Sequence, residues 1–274
     1  MPASPKQIPV FILAGGLGTR IAEETHLKPK PMIEIGGLPV LLHLMRWYYS
    51  FGFDDFVICA GYRSWEIKKY FLNYEYRVNH IGIDSRTRHD TPAACFGRNL
   101  SQEKWRVRVI DTGEECMTGG RIARAYDEIS RDTPLEYFAA TYGDGLSDVN
   151  LKQELDFHLQ HGLIGTLLGV PPLSRFGELD VGDDDKVKRF AEKPKSSAAL
   201  INGGFFFFKK DFRKYLKPDS DCVLEQAPLS KLAADGQLIS SKHLGFWHPM
   251  DTLRDKIYLE SLWTENKAPW RARP

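Results

Sequence analysis

The 274-residue sequence contains few cysteines, no long apolar run and almost no net charge. Its four cysteines lie far apart and form no Cys-x-x-Cys pair, which argues against a zinc site and against a disulfide framework. No apolar stretch is long enough to cross a bilayer, and the N-terminal residues lack a signal-peptide core. With 37 basic residues against 36 acidic ones, no overall field attracts nucleic acid. We therefore expect a cytoplasmic protein whose partners are small molecules, not nucleic acids or membranes.

Two common phosphate-binding motifs are also missing. No apolar run is followed by the spacing Gly-x-x-x-x-Gly-Lys-Ser/Thr, which excludes a P-loop. The dinucleotide fingerprint needs a third glycine at the position of Ile21, so hydride transfer by a Rossmann dehydrogenase is disfavoured. Failure to bind a nicotinamide cofactor would exclude that interpretation.

A glycine-rich loop after an apolar strand is the strongest motif present. The run Val10–Ala14 predicts a buried strand, and the three glycines that follow let the backbone approach a ligand closely. Glycine N–H groups can point at phosphate oxygens, while an arginine and a lysine supply positive charge. The predicted phosphate-binding residues are Leu13, Ala14, Gly15, Gly16, Leu17, Gly18, Thr19, Arg20 and Lys30.

Apolar periodicity alternates between strand and helix lengths along the first half of the chain. Strands are predicted over 10–14, 56–60, 105–110 and 137–142, and helices follow over 39–52, 64–72 and 117–129. Trp65, Ile67, Phe71 and Leu72 are candidate core residues of the second helix, and a later helix is predicted from about Val223 to Ala234. Such alternation predicts an α/β fold of Rossmann-like type, in which helices flank a mainly parallel, mixed sheet. Ligands are expected at the carboxyl ends of its strands.

The sequence Met-Thr-Gly-Gly-Arg opens one of these helices. Free N–H groups and a hydroxyl at a helix start suit an anion or the polar edge of a base. A capped helix with a flexible entry is the alternative. The predicted ligand-binding residues here are Thr118, Gly119, Gly120 and Arg121.

Two aspartates are candidate metal ligands. Asp144 lies between glycines at the end of a predicted strand, where a hard oxygen donor suits Mg²⁺, although it could be a plain turn residue. Asp251 precedes the apolar-periodic stretch of the last helix, so it is either the N-cap of that helix or a second metal ligand. Both roles can coexist if the carboxylate faces the site.

Three short segments in the second half combine polar groups with strands. A lysine for a sugar phosphate, a carboxylate and an amide for hydroxyls, and glycines for close approach of a ring occur together. A β-bulge, core phenylalanines and a surface turn are the alternatives. The residues concerned are Gly177, Glu178, Glu192, Lys193, Asn202, Gly203 and Gly204.

The segment 73–104 breaks the alternation of strands and helices. It carries several arginines and histidines among polar residues and has no clear periodicity. It could form a mobile flap, an arm between subunits or a solvated basic loop. We interpret it as an excursion from the sheet.

Taken in order from Leu13 to Asp251, these motifs resemble the signature of the sugar-1-phosphate nucleotidyltransferases. Several of them, including Met-Thr-Gly-Gly-Arg, Tyr-Gly-Asp-Gly and the terminal Lys-Ala-Pro-Trp, are similar to the cytidylyltransferase branch of that family. The resemblance implies CTP and glucose 1-phosphate as substrates, CDP-glucose and pyrophosphate as products, and Mg²⁺ as cofactor. It also implies a homo-oligomer, with a hexamer suggested, and a role in making deoxysugars for surface polysaccharide such as O-antigen.

The resemblance also implies roles for individual residues. The catalytic set becomes Arg20, Lys30, Asp144 and Lys193, the nucleotide set gains Gly143, and the metal ligands are Asp144 and Asp251. One domain over 1–274 is expected, with 8–150 mainly binding the nucleotide. Residues 151–274 would mainly form a small, β-rich sugar-phosphate-binding part and the C-terminal helix.

Alternatives within and outside this chemistry stay open at the level of sequence. Glu178 departs from the family pattern, so another hexose phosphate or another phosphate could be the acceptor. UTP or dTTP could replace CTP. A non-catalytic sensor of nucleotide sugars is the alternative from a different class, and absence of turnover despite ligand binding would support it.

Overall fold

The computed structural model describes residues 3–16, 21, 28–82, 94–96, 103–131, 133–173, 178–181, 186–191 and 199–271. Its strands are β1 (Val10–Ala14), β2 (Glu34–Ile35), β3 (Leu38–Pro39), β4 (Asp55–Ala60), β5 (His80–Gly82), β6 (Ala94–Phe96), β7 (Arg106–Asp111), β8 (Tyr137–Tyr142), β9 (Gly145–Ser147), β10 (Gly165–Val170), β11 (Glu178–Val181), β12 (Val187–Ala191), β13 (Ile201–Lys209), β14 (Leu238–Lys242) and β15 (Trp247–Pro249). Its α-helices are α1 (Val40–Ser50), α2 (Ser64–Leu72), α3 (Tyr74–Val78), α4 (Thr118–Ser130), α5 (Leu151–His161), α6 (Ala227–Ala234) and α7 (Leu253–Thr264).

Seven of the strands form one mixed sheet in the order β14-β10-β13-β8-β1-β4-β7. Strands β8, β1, β4 and β7 run parallel, whereas β13 is antiparallel to both of its neighbours. Strand β14 pairs with β10 in parallel. The predicted α/β fold with a mainly parallel, mixed sheet is therefore confirmed, and the sheet draws strands from both sides of residue 150.

The central strands are buried on both faces. Every residue of β1 and β4 is buried, as expected for parallel strands that helices cover on each side. Because side chains alternate along a strand, Val10 and Ile12 join one core and Phe11 and Leu13 join the other. Because β1, β4 and β8 run parallel, their carboxyl ends lie at the same edge of the sheet.

Helices α1, α2 and α5 cover one face of the sheet, and α4 and α6 cover the other. The second core is rich in aromatic rings, and Phe138, Phe206, Phe208 and Phe212 are fully buried in it. Each such ring contributes roughly 1.5–3 kcal/mol by leaving water. A third, smaller core lies under α7 and includes Leu259 and Trp270.

Helix α2 has the bounds that the periodicity predicts, but part of its expected core is exposed. Ile67 is buried, whereas Trp65 is 60% and Leu72 is 69% exposed. The prediction that Trp65 and Leu72 belong to the core is wrong, because α2 packs beside β7, the edge strand of the described sheet. Among the described strands, none pairs with the outer edge of β7 to cover them.

Two helix starts differ from the sequence-based expectation. The helix expected from about residue 223 begins at Ala227, and Leu224 N–H instead donates to the Thr118 hydroxyl. At the last helix, the N-cap is Thr252, whose side chain forms a capping box with Asp255. The alternative that Asp251 caps α7 is wrong, and its carboxylate contacts Lys30 instead.

The excursion over 73–104 contains α3 and a two-stranded hairpin of β5 and β6. Residues 83–93 and 97–102 lie outside the described residues, so the proposed flap or arm stays a prediction. Among the described helices, none has the length and apolar character needed to span a membrane. Cys59, Cys116 and Cys222 are buried free thiols.

A buried histidine on α1 predicts acid sensitivity. His43 is 3% exposed, and its Nε2–H donates to the Ile35 carbonyl at 2.8 Å. Burial lowers the pKa of His43 from 6.5 to about 4. Because unfolding restores the higher pKa, this histidine's contribution to stability is complete above about pH 6.5 and is lost as pH falls toward about 4.

We expect His43→Gln to lose less stability than the wild type as pH falls from about 6.5 to about 4. Glutamine can donate to the same carbonyl and does not titrate. The pH dependence of the urea midpoint between about pH 4 and 7 measures the effect. His80, which is exposed on β5, supplies the control His80→Gln. A urea midpoint that falls with pH in His43→Gln as steeply as in the wild type would contradict the prediction.

Candidate active site

A cavity of about 330 Å³ lies at the carboxyl ends of β1 and β8. Its walls include residues from the glycine-rich loop, the start of α4, the end of β8 and the segment before α7. The predicted site residues that line it are Leu13, Ala14, Gly15, Gly16, Lys30, Thr118, Arg121, Asp144 and Asp251. The fold thus brings together motifs that are up to 238 positions apart, from Leu13 to Asp251.

Two carboxylates converge on one ammonium in the wall of the cavity. Lys30 Nζ donates to Asp144 and, at 2.6 Å, to Asp251 Oδ1. All three side chains are largely buried. Burial by itself lowers the pKa of Lys30, but the carboxylates of Asp144 and Asp251 outweigh it and the pKa is raised. Lys30 therefore stays charged at any physiological pH.

Backbone contacts bring Asp144 and Asp251 together. Gly143 N–H donates to the Leu13 carbonyl at 2.9 Å, and a Cβ at Gly143 would lie 2.7 Å from that oxygen. Met250 N–H donates to the Asp144 carbonyl at 2.9 Å, which brings the chain before α7 to the end of β8. Glycine at 143 is needed because the strand ends approach too closely for a side chain.

Arg121 is 4% exposed and holds several backbone segments together beneath the glycine-rich loop. Its guanidinium donates to the Thr112 hydroxyl and to the carbonyls of Ala60, Gly113, Glu114 and Gly15. Burial lowers the pKa of Arg121 from its usual value. The bond to the Gly15 carbonyl, at 2.9 Å, anchors the first glycine of the loop.

We expect Gly15→Ala to destabilise the fold, because a Cβ there would overlap the Arg121 guanidinium. Overpacking costs about 1–3 kcal/mol, and a buried guanidinium that loses partners adds to this. Gly16→Ala is the matched control, since no atom lies within 4 Å of a Cβ at Gly16. Urea unfolding measures both variants, and equal free energies of unfolding would contradict the assignment.

The glycines at the start of α4 pack against residues 219–224. Gly119 and Gly120 N–H groups both donate to the Cys222 carbonyl, at 2.9 and 3.0 Å. A Cβ at Gly119 would lie 2.7 Å from Cys222 Sγ, so the close contact requires glycine. The N–H groups expected to face a ligand are thus used within the protein. Contact between these glycines and a base stays a prediction, and Thr118 offers the hydroxyl that lines the cavity.

Three predicted sugar-site residues follow one another on β13. Asn202 Nδ2 donates to the Tyr142 hydroxyl at 3.1 Å, and Trp247 Nε1 donates to the Gly203 carbonyl at 2.7 Å. Gly204 has a φ of +77°, and a Cβ there would overlap the Tyr142 ring. Asn202 and Gly204 therefore lie against a residue that lines the cavity.

The remaining predicted residues divide into two groups. Glu178 lies in β11, which pairs with β12 in a separate two-stranded sheet. The others lie outside the described residues, and these are Leu17, Gly18, Thr19, Arg20, Gly177, Glu192 and Lys193. Their roles stay predictions.

Tyr142 and Glu225 are among the residues of this region that sequence reasoning missed. Tyr142 lines the cavity, and its hydroxyl donates to Glu225. The tyrosine directly before Gly143-Asp144 was a usable signal, because a side chain at a strand end faces the ligand edge. Glu225 lies in a polar stretch before α6 and had no local signal.

The fold and the cavity together define a class of protein. A glycine-rich loop after β1, together with Lys30, Asp144 and Asp251 beside the carboxyl ends of parallel strands, is typical of an α/β protein that binds a phosphate-containing ligand. A family model described as "Nucleotidyl transferase" matches residues 9–237. The chain belongs to the nucleotidyl transferase family.

Individual proteins of known name are similar to nearly the whole chain. A glucose-1-phosphate cytidylyltransferase from Salmonella typhi is 46% identical over 260 residues, which cover 95% of this chain and 97% of the relative. A probable glucose-1-phosphate cytidylyltransferase from Bacillus subtilis is 38% identical, with 95% and 98% coverage. The crystal structure of HddC from Yersinia pseudotuberculosis shares the fold, with a TM-score of 0.64 at 22% identity, over 93% of this chain and 99% of that one.

Proposed function

We propose that this protein joins CTP and α-D-glucose 1-phosphate to give CDP-glucose and pyrophosphate. The observation that carries the proposal is the 46% identity, over 95% of the chain, to a relative named for that activity. The acid pair and lysine beside the glycine-rich loop support it, because they form a charged site where a triphosphate would lie. A phosphate oxygen of the sugar attacks the α-phosphorus of CTP, and the bond from that phosphorus to the pyrophosphate oxygen breaks.

The chain's own residues supply charge and orientation for this step. Arg20 and Lys30 would stabilise the negative charge that develops on pyrophosphate, and Lys193 would hold the sugar phosphate in line. The attacking phosphate oxygen is already ionised at neutral pH, so the step needs no general base. Exchange of labelled pyrophosphate into CTP without any sugar phosphate would contradict direct attack.

The paired carboxylates suit a divalent metal ion. Asp144 and Asp251 present hard oxygens that converge on a single cation, the Lys30 ammonium. Within the described residues no group of three or more His, Cys, Asp or Glu side chains is arranged to hold a metal. Two carboxylates fit Mg²⁺ because it is commonly held by one or two carboxylates together with substrate phosphates. Bound there, Mg²⁺ would neutralise charge on the reacting phosphates.

Lys30 and a divalent cation would compete for the same oxygens. The ammonium contacts both carboxylates, and it lies in the cavity wall. With Asp144 and Asp251 holding a metal ion, Lys30 would be free to bind the phosphates of the nucleotide. Lys30 would then have different partners before and after the substrates bind.

Pyrophosphate release tests the proposal directly. The enzyme is assayed with Mg²⁺ and glucose 1-phosphate, separately with CTP, UTP, dTTP, ATP and GTP. Turnover with CTP alone is the expected result. Turnover with UTP or dTTP instead would retain the chemistry and overturn the base, and ligand binding without any turnover would favour the sensor. Replacing glucose 1-phosphate with other sugar phosphates then tests the acceptor, because Glu178 departs from the family pattern at the proposed sugar site.

We also propose a homo-oligomer, with a hexamer suggested by the family resemblance. The exposed Trp65 and Leu72 beside the edge strand β7 support it, since large apolar side chains in one patch often mark an interface. Light scattering tests the state, and a monomer at micromolar concentration would contradict it. A cytoplasmic location, a role in surface polysaccharide and the division of labour at residue 150 are further parts of the proposal.

A further inference from the structure

A run of side-chain hydrogen bonds connects α4 to the segment before α6. Leu224 N–H donates to Thr118 Oγ1 at 2.9 Å, and the Thr118 hydroxyl donates to Glu225 Oε2 at 2.7 Å. Thr118 lines the cavity and belongs to the predicted nucleotide-binding set. One oxygen of the Glu225 carboxylate is thereby tied to the nucleotide side of the site.

A second run reaches the same carboxylate from β13. Gly204 N–H donates to Asn202 Oδ1 at 2.9 Å, which leaves the Asn202 amide nitrogen to donate to the Tyr142 hydroxyl at 3.1 Å. The Tyr142 hydroxyl in turn donates to Glu225 Oε1. The other oxygen of Glu225 is thereby tied to Asn202, a member of the predicted sugar-phosphate set.

A carboxylate suits the point where these two runs of hydrogen bonds meet. A hydroxyl has a single hydrogen, and both Thr118 and Tyr142 give theirs to Glu225 while accepting from another donor. A carboxylate accepts both hydrogens, one on each oxygen, and donates none in return. Glutamine in this position would turn an N–H₂ group toward one hydroxyl, whose own hydrogen would then lose its acceptor.

Tyr142 is held closely in this arrangement. Its ring lies where a side chain at Gly204 would be, and Trp247 holds the neighbouring Gly203 carbonyl. A shift of Asn202 is thus passed to Glu225 through a ring with little room to move.

We propose that Glu225 is a positioning residue that couples the nucleotide and sugar-phosphate halves of the site. The proposal rests on the proposed function and adds a property to it. A ligand that orders Asn202 also orders Tyr142, Glu225 and Thr118, so the second ligand meets a site that is already arranged. The coupling is reciprocal, because each ligand must raise the affinity of the other by the same factor.

Binding of CDP with and without glucose 1-phosphate measures this factor. CDP carries the base, ribose and two phosphates but cannot release pyrophosphate, so affinity is measured by calorimetry without the forward reaction. In the wild type, saturating glucose 1-phosphate should raise CDP affinity about tenfold, as in typical coupling between sites. In Glu225→Gln the factor should fall to about one, with CDP affinity alone changed less than about threefold.

Turnover and a double variant separate coupling from support of the fold. Glu225→Gln should raise the KM of both substrates about tenfold while lowering kcat less than about threefold. Tyr142→Phe should abolish the same factor, and combining the two variants should add little, because both break one run of bonds. Asp221→Asn, at an exposed carboxylate in the same segment, should keep the tenfold factor and is the matched control.

Three results would overturn the coupling, and a fourth would overturn the proposed function instead. A wild-type factor near one, or a factor that persists in Glu225→Gln, overturns the coupling. Equal loss of CDP affinity with and without sugar phosphate, together with a lower melting temperature, would make Glu225 a structural support and also overturns it. Failure of the proposed function would be seen separately, because the wild-type enzyme would turn over a different nucleoside triphosphate. The diphosphate of that nucleoside would then replace CDP in the binding measurement.

Discussion

Replacement of Asp144 by asparagine is expected to lower kcat about 1,000-fold, the upper part of the range seen when one charge-stabilising group is removed. Asparagine keeps the size of the side chain and can still accept from Lys30, but it carries no charge. Asp144 contacts Lys30 in the cavity wall at the end of β8, and it is the proposed first metal ligand. The loss should therefore lie mainly in kcat and should be only partly restored by higher Mg²⁺.

Steady-state pyrophosphate release over a range of Mg²⁺ concentrations checks this result. Asp156→Asn removes an equal charge from an exposed position on α5 and should leave both parameters unchanged. Circular dichroism and the urea midpoint show whether Asp144→Asn is folded. A folded variant whose kcat lies within about threefold of the wild type would remove Asp144 from the proposed chemistry.

Lys30→Met is the second variant with a large expected effect, and it should change activity and metal affinity in opposite directions. Turnover should fall about 100- to 1,000-fold because the developing charge on pyrophosphate loses a cation. Without the ammonium, Asp144 and Asp251 face each other with no positive charge between them. A divalent cation should then bind more tightly in the absence of nucleotide, by roughly tenfold.

Lys28→Met is the matched control for this variant. Lys28 lies in the same Lys-Pro-Lys-Pro motif, but it is exposed and pairs with Glu34 at 2.7 Å. Binding of Mn²⁺ followed by electron paramagnetic resonance reports metal affinity, and pyrophosphate release reports turnover. Metal affinity that falls in Lys30→Met would contradict the exchange of partners proposed for this lysine.

The raised pKa of Lys30 adds a pH signature to the same variant. The folded value lies above the ordinary 10.5, so the stability that depends on Lys30 carrying its charge is complete at neutral and mildly basic pH. It is lost only as pH rises through the folded value. The difference in unfolding free energy between wild type and Lys30→Met should therefore be the same at about pH 7 and at about pH 9. Urea unfolding at these two pH values measures it.

Local pattern was sufficient for most of the sheet and its helices. The strand over Val10–Ala14 and the helix over Ser64–Leu72 have the predicted bounds, because continuous apolar runs and helical spacing are properties of adjacent residues. The α/β fold followed from their alternation. The exposure of Trp65 and Leu72 could not be predicted, since it depends on α2 lying beside the edge strand β7.

The candidate site shows the same division. The glycine-rich loop and Asp144 were recognisable because each motif is short and lies at a strand end, where ligands of parallel sheets bind. The structural role of Arg121 was not recognisable, since its partners include the carbonyls of Ala60 and Gly15, which lie 61 and 106 positions away. Glu225 was missed for the same reason, because its hydroxyl partners lie 83 and 107 positions away.

The sequence by itself determined the alternation of the first buried strands and helices, the glycine-rich loop after the first strand and the resemblance to a family. These depend on residue type and short spacing, which no later packing alters. Only the tertiary structure decided that Lys30 lies between Asp144 and Asp251, and that Glu225 joins Thr118 to Tyr142. Those contacts arise where strand ends and loops from distant parts of the chain converge, and the geometry of that convergence is set by packing of the whole sheet.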